Sequence, residues 1–128
     1  RSLLPVVEQQ LHEVLAAVPA EEPWLARLRL EVALRLCDGH PTLPDVAPEV
    51  GMSTRTLQRL LAERGLAYRD LVQAARRRLA FEYLERSDTE LTEIAFLLGY
   101  SDLAAFAHAF QRWTRTSPGA HRRARRGR

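Results

Sequence analysis

The sequence predicts an all-α fold: two helix-turn-helix subdomains joined by a long central helix, about seven helices in all. Three observations predict it. Apolar residues recur at i, i+3/i+4 and i+7 along the chain, and no segment alternates with the period of two that a strand needs. A helix, Gly-centred turn and capped helix occur twice, in register. Between the two copies, residues 68–86 form one long helical stripe.

The elements follow in order. Val6, Val7, Gln10, Leu11, Val14 and Leu15 make a first stripe that stops at Pro19. Glu21-Glu22-Pro23 supplies an acidic first turn, with Pro at a tolerated early position, for a helix carrying Trp24, Leu25, Leu28, Val32 and Leu36 to Asp38-Gly39. Thr42 with Asp45 three residues on reads as a capped start of a short helix. Pro48 should bend or shorten it, because it removes a backbone donor. Gly51 ends that helix. Ser53 caps the next, with Leu57, Leu60 and Leu61 on its apolar side up to Gly65. Leu71, Ala75, Leu79 and Tyr83/Leu84 face inward along the long helix from Tyr68 to Arg86, and Ser87-Asp88-Thr89 breaks it. Leu91, Ile94, Ala95 and Leu98 build a short helix stopped by Gly99. Ser101-Asp102 opens another, with Leu103, Phe106, Phe110 and Trp113. After Ser117-Pro118-Gly119 the pattern dissolves into an Arg-rich tail, expected to be flexible.

The repeat is the most informative feature. Ala47-x-x-x-Gly51 returns 48 residues later as Ala95-x-x-x-Gly99; beyond the turn, Ser53, Leu57 and Leu61 match Asp102, Phe106 and Phe110. A small residue at Ala47 or Ala95 lets two helices approach, and Gly at 51 or 99 can take positive φ. The apolar residue at 57 or 106 then locks the second helix onto the first.

Length and composition bound the rest. With 128 residues, 46% hydrophobic and 27% charged, the chain is one globular domain's worth, and no apolar run approaches the ~20 residues of a membrane span. It opens Arg1-Ser2 without a signal-peptide pattern, and is expected to be a soluble fragment of a longer protein. Residues 1–50 carry 4 Arg against 8 acids, whereas residues 51–128 carry 15 Arg against 8. That asymmetry points to an anionic partner for the C-terminal part, nucleic acid before membrane. The four His are scattered and the single Cys37, expected in the core, cannot form an internal disulfide, so no metal or cofactor is expected. No phosphate loop or nucleophile elbow occurs, and the chain is not read as an enzyme.

Gly51-Met52-Ser53-x3-Leu57-Gln58-Arg59-Leu60-Leu61, followed by Gly65, Tyr68, Arg76 and Ala80, resembles the first part of the AraC/XylS-type DNA-binding domain. Glu93-Ile94-Ala95-Phe96-x-Leu98-Gly99-Tyr100-Ser101-Asp102-x3-Phe106-x3-Phe110-x-Arg112-Trp113, closing with Ser117-Pro118 and Arg122, is similar to that family's signature. The resemblance implies a bacterial, cytoplasmic transcription regulator, usually an activator, that binds double-stranded DNA and touches RNA polymerase. It also implies a separate regulatory domain, N-terminal in the typical arrangement, that senses effector or forms a homodimer. Residues 1–21 then read as a linker or the last helix of that domain, and 22–128 as the DNA-binding domain. Its parts are a first helix-turn-helix at 42–65, the connecting helix 68–86, a second helix-turn-helix at 89–113 and the basic tail 119–128.

In the first unit, burial of Leu57, Leu60 and Leu61 leaves Thr54, Arg55, Gln58, Arg59 and Ala62 outward. The resemblance places base contacts on Arg55, Gln58 and Arg59. Arg suits guanine and Gln suits adenine. Arg59 could equally form an exposed pair with Glu63. The second unit's outward face, Ala104, Ala105, His108, Gln111 and Arg112, is chemically poorer. Family base-contact positions fall there on Ala104, Ala105 and His108. Alanine can touch only a thymine methyl, and His108 is either a polar reader or merely exposed. Arg112, Arg115, Gln111 and the helix starts at Ser53 and Ser101 are the phosphate candidates. Arg115 stands where the family usually has Gly, so a left-handed backbone there would be strained. The consecutive Arg76, Arg77 and Arg78 cannot all face one way and read as mostly structural or solvated. Partner contacts are expected among Glu8, Glu13, Glu21, Glu22 and Glu31.

Overall fold

The computed structural model describes residues 21–126; the expected first stripe, Val6 to Leu15, lies outside them. Seven α-helices occur among the described residues: α1 Pro23–Arg35, α2 Leu43–Val46, α3 Thr54–Glu63, α4 Tyr68–Arg86, α5 Leu91–Leu97, α6 Leu103–Thr114 and α7 Pro118–Arg126. Two 3-10 turns, Leu36–Asp38 and Ala47–Val50, extend α1 and α2. There is no strand among these residues, and no helix is long and apolar enough to cross a membrane.

Local chemistry accounts for the boundaries. Pro23 starts α1, where a missing N–H costs nothing. At α2, Asp45 accepts from both the Thr42 amide (2.9 Å) and its hydroxyl (2.8 Å), which holds the Asp45 carboxyl below its usual range. Pro48 acts as expected: α2 stops at Val46 and the chain continues as a 3-10 turn. The long helix α4 begins at Tyr68 and ends at Arg86, as its stripe predicts.

One core runs through both subdomains. Leu28 and Val32 of α1, Leu57 and Leu61 of α3, Val72, Leu79 and Leu84 of α4, Ile94 of α5, and Phe106 and Phe110 of α6 belong to a single buried cluster. Two features tighten the seam between subdomains. The Arg76 Nε donates to the Leu98 carbonyl at 2.9 Å, and its guanidinium lies over the Tyr100 ring, so this residue of the Arg run is structural. Gly99, at φ 88°, packs against the Leu36–Asp38 turn. A Cβ there would overlap the Leu36 carbonyl oxygen and lie 2.9 Å from that of Gly39.

Two expectations are corrected. The tail is not a flexible arm: residues 118–126 form α7. The Ser117 hydroxyl accepts from the Ala120 amide at 3.0 Å and Pro118 takes the first helical position, so Ser-Pro-Gly begins a helix instead of ending one. Cys37 is exposed, not buried. Leu36 occupies the core position, and one residue further along the turn points outward, as does Leu34. Burial of its sulfur is only partial, yet with Asp38 beside it this pushes the thiol pKa up, away from reactivity.

Candidate nucleic-acid interface

The first unit pairs α2 and its 3-10 turn with α3. Ala47 is buried at their contact, and Gly51 takes the left-handed conformation (φ 74°) that turns the chain. Ser53 caps α3 by accepting from the Thr56 amide at 3.1 Å. Leu57 and Leu61 are buried, which leaves Arg55, Gln58 and Arg59 exposed and Thr54 half-buried. At 100° per residue, Arg55, Gln58 and Arg59 occupy one outward face. Arg59 pairs with Glu63 at 3.1 Å, both more than half exposed. Arg55 has no carboxylate partner among the described residues. Contact of Arg59 with a base would thus exchange one interaction for another, at a cost of about 0.3–0.5 kcal/mol.

The second unit repeats the plan in α5 and α6. Ala95 is buried at the helix contact, and Asp102, in extended backbone, caps α6 by accepting from the Ala105 amide at 2.8 Å. Phe106, Ala109 and Phe110 turn inward, with the Phe106 ring stacked on Tyr100 and Trp113 edge-on to Phe110. Ala104, His108, Gln111 and Arg112 are exposed and Ala105 is half-buried; Ser101 is exposed beside the cap. The caps differ in charge. A hydroxyl guards the start of α3, whereas a carboxylate guards that of α6, so the second start is less hospitable to phosphate. Arg115 is the one non-glycine residue with positive φ among the described residues (66°), and its amide donates to the Gln111 carbonyl at 2.8 Å. Arg112 and Arg115 are exposed and have no carboxylate partner among the described residues.

Several other arginines are spent internally, which a charge count does not reveal. Arg122 donates to the carbonyls of Leu84, Thr89, Tyr83 and Ser87 at 2.7–3.2 Å. Arg125 pairs with Glu85 and Arg126 with Asp88. The Glu85 carboxyl is raised by burial, but bonds from His121 and Arg125 outweigh this and hold it below its ordinary value. The expected partner-binding acids are also occupied: Glu21 pairs with Arg29, Glu22 with Arg64, and Glu31, itself buried, with Arg27 and Arg35. Glu8 and Glu13 lie outside the described residues. A separate cavity of about 400 Å³, lined by Arg35, Asp38, His40, Pro41, Asp45 and Glu49, sets three carboxylates against one guanidinium and repels phosphate. Among the described residues no three His, Cys, Asp or Glu are grouped to hold a metal ion.

Comparison with known proteins bears on the helix-turn-helix fold. A family model described as a helix-turn-helix domain matches residues 46–124. The ornithine utilization regulator of Pseudomonas aeruginosa is 38% identical over 117 residues, which cover 91% of this chain and 34% of that protein. The transcriptional activator NphR of a Rhodococcus species is 30% identical over 99 residues, covering 77% of this chain and 30% of its own length. The crystal structure of the transcriptional regulator CdpR from Pseudomonas aeruginosa superimposes with a TM-score of 0.62 at 32% identity, over 78% of this chain and 31% of that one. The chain thus spans about a third of the length of the curated relatives it matches. These relatives are transcription regulators rather than enzymes. On this evidence the chain belongs to the AraC-type helix-turn-helix family, and it is a DNA-binding domain of the kind that transcription regulators carry.

Proposed function

We propose that the domain binds a specific double-stranded DNA site by placing α3 and α6 in successive major grooves, in the cytoplasm of a bacterium, and that it activates transcription. The supporting observation is the pairing of two like-built units whose outer faces carry arginines without carboxylate partners among the described residues: Arg55 on α3, and Arg112 and Arg115 at the end of α6. Between them α4 has 19 residues, about 28 Å of helix, against roughly 34 Å for one turn of B-DNA. Arg55, Gln58 and Arg59 read bases from α3, with Thr54 at its start. Ala104 and Ala105 supply methyl contacts and shape fit from α6, with His108 as the polar reader there. Ser53, Ser101, Gln111, Arg112 and Arg115 anchor phosphates. The activator names of relatives such as NphR favour activation. Contact with RNA polymerase, and a homodimer formed through a further domain, belong to the same proposal.

Selection from a randomised DNA pool, read by fluorescence anisotropy at several salt concentrations, tests it. A bipartite site with centres about 10 base pairs apart is expected. The Arg55→Ala, Gln58→Ala double variant should lose about 10- to 100-fold in discrimination on that site. Sequence-blind binding, unchanged in the double variant, would remove these residues as readers.

Arg115 gives a second test. Arg115→Gly relieves the positive φ and should stabilise the fold by about 1 kcal/mol. The same change should weaken DNA binding uniformly across sequences and lower the salt slope by about 1. A gain in stability with an unchanged salt slope would mean that Arg115 touches no phosphate.

A further inference from the structure

The two recognition helices are not held equally well. α6 buries Phe106, Ala109 and Phe110, and packs Trp113 against the core. α3 buries only Leu57 and Leu61, one turn apart on a single line. Two contacts on one line set the distance of a helix from the core but leave it free to roll about that line. Something else must fix its C-terminal end.

That end carries Arg64. Its Nη1 donates to the Leu60 carbonyl at 3.2 Å, within the last turn of α3. Its Nε bonds Glu22 Oε1, and its Nη2 bonds Glu22 Oε2 at 2.8 Å, a two-pronged pairing across 42 residues. The guanidinium also lies over the Trp24 ring, 5.2 Å from its centre, and Trp24 Nε1 donates to Glu22 Oε2 at 3.0 Å. Glu22 and Trp24 flank the start of α1, and α1 is seated in the core by Leu25, Leu28 and Val32. Exposed single ion pairs contribute little, but a bidentate pair stacked on an indole is the geometry that escapes this rule.

We infer that Arg64 is a positioning residue for DNA reading: clamped by Glu22 and Trp24, it sets the roll of α3 and so aims Arg55 and Gln58 at their bases. This rests on the proposal that α3 is a base reader. The clamp acts on one half-site only, because α6 is held by its own aromatic packing. It also sits on the first residues of α1, so displacement of Glu22 is passed directly to the first recognition helix.

The experiment uses the selected DNA site and two altered sites, one changed in the half assigned to α3 and one in the half assigned to α6. Dissociation constants are measured for the whole chain and for Arg64→Ala, Glu22→Gln and the double variant, well below the lowest unfolding temperature. Arg55→Ala, Gln58→Ala is the control. Discrimination in the α3 half should fall about fivefold in each single variant and no further in the double, with the α6 half unchanged. Glu22→Gln is the decisive change. It removes a negative charge at a residue outside those assigned to DNA, so simple electrostatics predicts tighter binding, whereas the clamp predicts poorer reading of one half. It also carries the test if Arg64→Ala does not fold. Should the control lose discrimination while Glu22→Gln keeps it in both halves, the clamp is overturned and α3 remains a reader. Equal losses in both halves would likewise overturn it, as the mark of a general loss of fold. Should the control itself keep full discrimination, the reading of α3 as a recognition helix fails instead.

Discussion

Gly99→Ala should destabilise the domain by about 3–4 kcal/mol, whereas Gly51→Ala, at the matching place in the first unit, should cost about 1–2 kcal/mol. Both glycines have positive φ, 74° at Gly51 and 88° at Gly99, so both substitutions meet the backbone penalty of an L side chain. Only Gly99 meets a second obstacle. Open space surrounds Gly51, while a methyl group on Gly99 would run into the carbonyl oxygens of Leu36 and Gly39. These are backbone atoms that cannot swing aside. The Leu36 oxygen accepts the Gly39 amide at 3.0 Å, and the Leu36 side chain is fully buried. Relief would need the two subdomains to part along the seam that Arg76 also bridges. Against a typical domain stability of 5–15 kcal/mol the loss is large. Urea unfolding of both variants measures it, and equal losses at the two positions would show that the close approach at Gly99 carries no energy.

That contrast also marks what one-dimensional pattern can and cannot reveal. The repeat showed both glycines as turn residues, because positive φ is a local requirement written in local residues. It did not show that the second turn is pressed against the first subdomain, since that contact joins Gly99 to Leu36 and Gly39, 63 and 60 residues away. The limits of α4, the break at Pro48 and the caps at Ser53 and Asp102 were legible for the same local reason. So was the left-handed backbone at Arg115, through the resemblance to a family with Gly there. The exposed faces of α3 and α6 followed from periodicity, because burying Leu57 and Phe106 leaves Arg55, Gln58 and His108 nowhere else to point. Which arginines are held inside the fold was not legible from charge. A count of basic residues cannot separate Arg55 and Arg112, which have no carboxylate partner among the described residues, from Arg64, Arg76 and Arg122, whose partners lie 22 to 42 residues away. The expectation of a flexible tail failed at this point for residues up to Arg126, since α7 is anchored by bonds to backbone that no periodicity displays.

Removal of the anchor in α7 is the sharper test of that correction. Arg122→Ala should cost about 3 kcal/mol, because the guanidinium satisfies four carbonyls where α4 ends and the chain turns toward α5. Arg122→Lys should recover less than half of this, since one ammonium cannot reach acceptors that a planar fork spans. Arg123→Ala, one residue along and exposed, should change stability by no more than about 0.5 kcal/mol. The effect should also be insensitive to salt, for these acceptors are neutral. Burial, followed by the nearby Arg126, lowers the Arg122 pKa, as expected of a cation held mainly by carbonyls. The consequence reaches α6. α7 brings the His121 ring to 5.4 Å from Phe110 and 5.2 Å from Phe81, so it props the aromatic core beneath α6. A domain without the anchor should expose the segment around Ser117 to limited proteolysis, and should lose discrimination in the half-site assigned to α6 before that assigned to α3. This order is the reverse of the one expected for Glu22→Gln. If Arg122→Ala instead unfolds at the same urea concentration as the unaltered chain, α7 is an appendage and α6 stands without it.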